Sequence, residues 1–197
     1  MNLLILDGPA DPRSPHSYPY RGTYRAHPTY NDSVPPGHEI NQLFTWYLAE
    51  GGESGVINDV AKALRYATLL NLHPLPQANH FEVVEVVDDH QPESGGYLLG
   101  FDLSSGFSNS LLWWWGPEPI AEPSPSVPEP VNVLADLMYR YYAPCRNQYG
   151  LFPTAIIASR CLSAMDALQR LSPNLFEGQD LRSHFWPVAL YLVPGQT

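Results

Sequence analysis

Proline divides this chain. It supplies 21 of the 197 residues, and each one fixes φ and removes a backbone donor, so helices and inner strands must lie mostly between prolines. The segment 9–37 is dense in proline and tyrosine and has no period of 2 or 3.6. It reads as an extended coil whose tyrosines fill grooves on the core, being too aromatic for plain disorder. The segment 116–130 holds six prolines and reads as a polyproline-like link.

The remaining intervals carry periodic patterns. Residues 2–6 are apolar and read as a short strand ending at Asp7-Gly8-Pro9. Ile40, Leu43, Phe44, Tyr47 and Leu48 keep the spacing of one helix face until Gly51-Gly52 stops it. Ser54 is placed to cap a second helix with Val56, Ile57, Val60, Ala61, Leu64 and Ala67 as its stripe, ended by Pro74. Residues 81–87 form a strand in which Phe81, Val83 and Glu85 alternate with Glu82, Val84 and Val86. Apolar residues on both faces predict an inner strand.

Residues 97–103 form the next strand, predicted to pair with the first as an antiparallel hairpin across the polar loop 88–96. Residues 110–115 would add a third strand and make a meander. Residues 131–142 return to helix. Pro153 suits the first turn of another, with Ile157, Cys161, Ala164, Met165 and Leu168 as its stripe. Residues 188–193 are the last strand, and Pro187 marks its beginning or an edge. Strands and helices do not alternate. The order predicts a single α+β domain over 1–197, with a mainly antiparallel sheet of about four or five strands and about four helices packed on it.

Charge is distributed as unevenly as proline. The chain has 20 acids and 10 bases, a net charge of −10. Residues 66–139 hold ten acids and neither lysine nor arginine, while the rest balances at ten against ten. The bland consequence is a solvated acidic face. The functional one is a field that steers a basic partner. Generic binding to nucleic acid or to anionic membranes is disfavoured. No apolar run reaches the roughly 18 residues of a membrane helix. The first residues lack a basic region and a long apolar region, so the expected location is cytoplasmic. Two cysteines, Cys145 and Cys161, do not make a disulfide scaffold.

Catalytic constellations are weak. Gly106-Phe107-Ser108-Asn109-Ser110 resembles a nucleophile elbow but ends in serine where the elbow needs glycine, and it reads as a turn. Cys145 precedes Arg146, which could lower a thiol pKa, whereas Cys161 lies on an apolar stripe. His38-Glu39 begins a zinc-helix pattern that Gln42 breaks, and His73, His80 and His90 match no ligand spacing, so no metal or cofactor is expected. Arg13, Arg21 and Arg25 interleave with Tyr18, Tyr20, Tyr24 and Tyr30, an arrangement better suited to cation–π packing than to stacked bases.

What stands above background is acid and tryptophan. Glu82, Glu85, Asp88, Asp89 and Glu93 fall on or beside the expected hairpin, and Trp113 and Trp115 would share one strand face. These seven residues are the candidate partner-binding set. A protruding acidic loop beside an aromatic anchor suits a basic cleft, which is how small acidic proteins neutralise cationic effectors. The expectation is a protein-binding module, most simply an immunity-type inhibitor of a bacterial toxin or effector. The alternatives are a small hydrolase or transferase using Asp7 and a nearby histidine, and a structural subunit of a larger assembly.

Overall fold

The computed structural model describes residues 1–8, 37–52, 55–72, 80–88, 91–105, 109–110, 138–171 and 185–196. Strand β1 (Leu3–Gly8) leads to helices α1 (Glu39–Gly51) and α2 (Val60–Leu72). Strands β2 (His80–Val87), β3 (Tyr97–Ser105) and β4 (Asn109–Ser110) follow, then α3 (Ala155–Leu171) and β5 (Trp186–Leu192). The sheet order is β1-β2-β5-β3-β4 and every neighbouring pair is antiparallel. The fold is α+β, as the element order predicts.

The hairpin is not formed. The last strand, β5, lies between β2 and β3 and pairs with both, Val84 opposite Leu192 on one side and Tyr97 opposite the same residue on the other. Two strands that are each antiparallel to β5 run parallel to one another. Local alternation identifies a strand but does not name its partner, so a strand from the far end of the chain can displace the simplest pairing. Pro187 is tolerated near the start of this central strand because the β2 ladder begins only at Ala189.

Side chains alternate across the sheet and build two cores. On one face Leu3, Ile5, Phe81 and Val83 pack under Ile40, Leu43 and Tyr47 of α1 and Ala63, Tyr66, Ala67 and Leu70 of α2. On the same face Leu103 packs under Ala158, Cys161, Leu162 and Met165 of α3. The opposite face carries Leu4, Leu6, Val84, Val86, Val188 and Leu190 with Leu151. Leu3 to Leu6 are each no more than 3% exposed. Burial of a leucine or isoleucine side chain is worth about 1.5–3 kcal/mol, so this short strand is a major anchor.

Local chemistry sets the helix ends. The backbone N–H of Ile40 donates to His38 Nδ1 at 3.3 Å, and Gly52 closes α1 in a left-handed conformation (φ 52°), donating to the Leu48 carbonyl. Helix α2 starts later than the stripe suggests, because Ile57 exchanges two backbone hydrogen bonds with Leu3 instead of entering the helix. Asp59 supplies the cap: the N–H of Lys62 donates to Asp59 Oδ1 at 3.0 Å. Likewise Thr154, one residue past Pro153, caps α3 through the N–H of Ile157. Residues 138–142 form a π turn followed by a 3-10 turn, not the end of a regular α-helix, and 131–137 lie outside the described residues.

Two side-chain amides act as extra backbone. Asn71 at the end of α2 accepts from the Phe81 N–H at 2.7 Å and donates to the Phe81 carbonyl at 2.9 Å. Gln196 does the same to Val83, at 2.7 Å each way, just beyond β5. Asn147 donates to the Leu99 carbonyl at 2.6 Å and accepts from the N–H groups of Tyr149 and Leu151. It thereby holds the loop before α3 against β3, where Phe101 and Phe152 exchange two backbone hydrogen bonds. The expected coil 9–37 (but for Gly37) and link 116–130 lie outside the described residues.

Candidate functional site

The acidic candidates gather around the connection 88–96. Because β2 and β3 run parallel with β5 between them, this connection carries the chain back along the sheet and across β5. Val87 ends opposite Ala189, and Tyr97 begins opposite Leu192. Gly95 takes a left-handed φ of 68°. A Cβ on Gly96 would overlap the Leu192 carbonyl oxygen, so only glycine lets the connection lie this close to β5.

The candidates take different roles. Asp88 and Glu93 are exposed, Glu93 with 55% of its side chain accessible. Glu82 is half-buried and stands opposite Leu6, on the sheet face away from α1 and α2. Glu85 is a correction: it is fully buried and cannot present its charge to a partner. One of its carboxylate oxygens accepts from the N–H of Glu93 and the other from the N–H of Ser94, both at 2.8 Å. Burial pushes its pKa up, but hydrogen bonds from Ser94 and Glu93 and the nearby N-terminal charge outweigh that and hold it below the usual carboxylate value. Asp89, Trp113 and Trp115 lie outside the described residues.

A cation does answer part of the acidic block. The Met1 ammonium lies 3.2 Å from Glu93 Oε1. Counting lysines and arginines overlooks that group.

Exposed apolar side chains follow the connection at the start of β3. Tyr97 is 57% exposed and Leu98 is 42% exposed. Partial burial raises the Tyr97 phenol pKa, helped by the charge of Tyr149, by a hydrogen bond with it, and by Glu82. Glu82 and Tyr97 therefore share an electrostatic environment although they come from strands that do not pair. Tyr97 and Leu98 follow Gly95-Gly96 directly, and that glycine pair is the sequence signal that could have drawn attention to them.

The other chemical candidates separate. Asp7 pairs through its backbone with Phe81, and its side chain is outside the described set, as are His16, His27, His73, His90 and His184. His38 is spent on capping α1. Cys145 is exposed and its thiol donates to the Tyr141 carbonyl. Cys161 is buried beside Met165, and burial pushes its thiol up to about 12, which disfavours a thiolate nucleophile. Among the described residues no three His, Cys, Asp or Glu side chains are placed to hold a metal ion. No described helix is long and apolar enough to cross a membrane. Comparison with protein-family models, curated proteins and solved structures finds no match to this chain.

Proposed function

We propose that this chain is a protein-binding module that offers an acidic surface to a basic protein partner, in the manner of an immunity-type inhibitor of a toxin or effector. The observation that carries the reading is the exposure of Asp88 and Glu93 on the connection, followed in sequence by the exposed Tyr97 and Leu98 where it enters β3. Charge at the rim steers encounter, and exposed aromatic and aliphatic side chains supply the desolvated contact that holds a complex. The acidic block of residues 66–139 supports the same reading, since it contributes no lysine or arginine to oppose a cationic partner.

The test has two stages. The chain is used as bait in extract of its source cell, and the captured partner is purified. Association is then followed by stopped flow at low and at physiological salt, with wild type and with Asp88→Lys/Glu93→Lys. A partner of net positive charge is expected. Reversing the two charges is expected to slow association about tenfold at low salt, with the difference shrinking as salt screens it. Equal association rates at low salt refute the reading.

A further inference from the structure

We infer that Glu85 is a proton-releasable latch that holds the acidic connection in one conformation. This does not depend on what the connection binds. A link between parallel strands ordinarily takes a dozen or more residues and a helix. Here the nine residues between Val87 and Tyr97 must return along β5 and cross it, and the described ones form neither helix nor strand. Short irregular backbone of this kind needs partners for its N–H groups.

Glu85 supplies them from below. It lies in phase with Phe81 and Val83, so its side chain rises on the face the connection crosses. Each carboxylate oxygen takes one amide, from Glu93 and Ser94. A carboxylate is an acceptor at both oxygens, whereas a carboxylic acid turns one of them into a donor. Protonation therefore sets an O–H against an N–H and opens one of the two bonds. The charged and titratable groups facing Glu85 among the described residues are the Met1 ammonium from the β1 side, Glu93 on the connection, and Tyr191 opposite on β5. The ammonium favours the ionised latch.

Amide hydrogen exchange followed by NMR on the full chain tests the latch, with rates corrected for the intrinsic pH dependence. At neutral pH the amides of Glu93 and Ser94 are expected to be protected. Glu85→Gln keeps the shape but not the two acceptors, and is expected to lower protection at one or both amides about tenfold or more while the β2 amides keep theirs. Glu93→Gln removes a surface charge but leaves both amides bonded to Glu85, and is expected to retain their protection. Unchanged protection in Glu85→Gln, or an equal loss in both variants, overturns the inference. Should Glu85→Gln not fold, the acid titration of wild type decides. Joint loss of protection at Glu93 and Ser94 before the β2 amides open supports the latch. Protection that persists until the whole chain unfolds overturns it.

Discussion

Gly100 is where the packing of this fold leaves least room, and Gly100→Ala measures how much that matters. The residue sits at an irregularity in β3, with φ of 152°, as the pairing with β5 slips between Leu98 and Gly100. An added Cβ would lie 2.7 Å from the Leu151 Cβ and 2.9 Å from both the Asn147 Nδ2 and the Phe152 carbonyl oxygen. Two of these three atoms belong to hydrogen bonds that fix the loop before α3: Asn147 to Leu99 at 2.6 Å, and Phe101 to Phe152 at 2.8 Å. The methyl group cannot be accommodated by a rotamer change alone, because the Phe152 oxygen is backbone. Overpacking costs about 1–3 kcal/mol. Weakening two hydrogen bonds adds about 1 kcal/mol each. The expected loss is therefore about 3–5 kcal/mol. Urea unfolding followed by circular dichroism reads it as a lower midpoint with an unchanged slope. A loss below about 1 kcal/mol would refute the claim that β3 and the 147–152 loop are held in contact by the missing side chain.

Two further outcomes follow from individual buried groups. Glu85 has its pKa lowered in the folded chain, so its contribution to stability is fully present above the ordinary glutamate value and is lost as pH falls through the folded value. Urea midpoints measured from neutral to acid pH should show that decline, and Glu85→Gln should flatten it; equal slopes for the two proteins would contradict the assignment. The Tyr66 hydroxyl is buried and has no hydrogen-bond partner among the described residues, and burial raises its pKa. Tyr66→Phe is therefore expected to leave stability unchanged or raise it by up to about 1 kcal/mol, and thermal unfolding that shows a loss larger than this would mean the hydroxyl is bonded in solution.

The elements were largely legible in the sequence, and their arrangement was not. The stripe from Ile40 to Leu48 and the double glycine after it mark α1, because a helix repeats its apolar face locally. The alternation from Phe81 to Val87 marks β2 for the same kind of reason. The insertion of β5 between β2 and β3 leaves no local trace. It depends on pairing between residues about a hundred positions apart, such as Val84 with Leu192, and no periodicity encodes that. Helix α2 illustrates a smaller failure. Val56 and Ile57 extend its apolar stripe, but Ile57 forms a rung with Leu3, and a tertiary backbone pairing overrides local propensity.

The acidic candidates show the difference between charge and exposure. Summed along the chain, Glu85 is one more negative residue beside Asp88 and Glu93. Its phase gave a warning, since it shares a strand face with Phe81 and Val83 and so points toward the core. A carboxylate there must find donors or lose its charge. The donors came from the backbone of the connection, which is why the residue organises the loop instead of belonging to its surface. Asp88 and Glu93 kept their place as exposed acids. Tyr97 and Leu98 were read only as strand residues, because exposure of a strand's first residues depends on how its neighbours end.

The most direct test of the account compares association of the purified partner with wild type and with Asp88→Lys/Glu93→Lys across a salt series. Steering by the acidic connection predicts that wild type associates about tenfold faster at low salt, and that the two rates converge as ionic strength rises. Rates that coincide at low salt would contradict the proposal that the acidic connection is the binding surface.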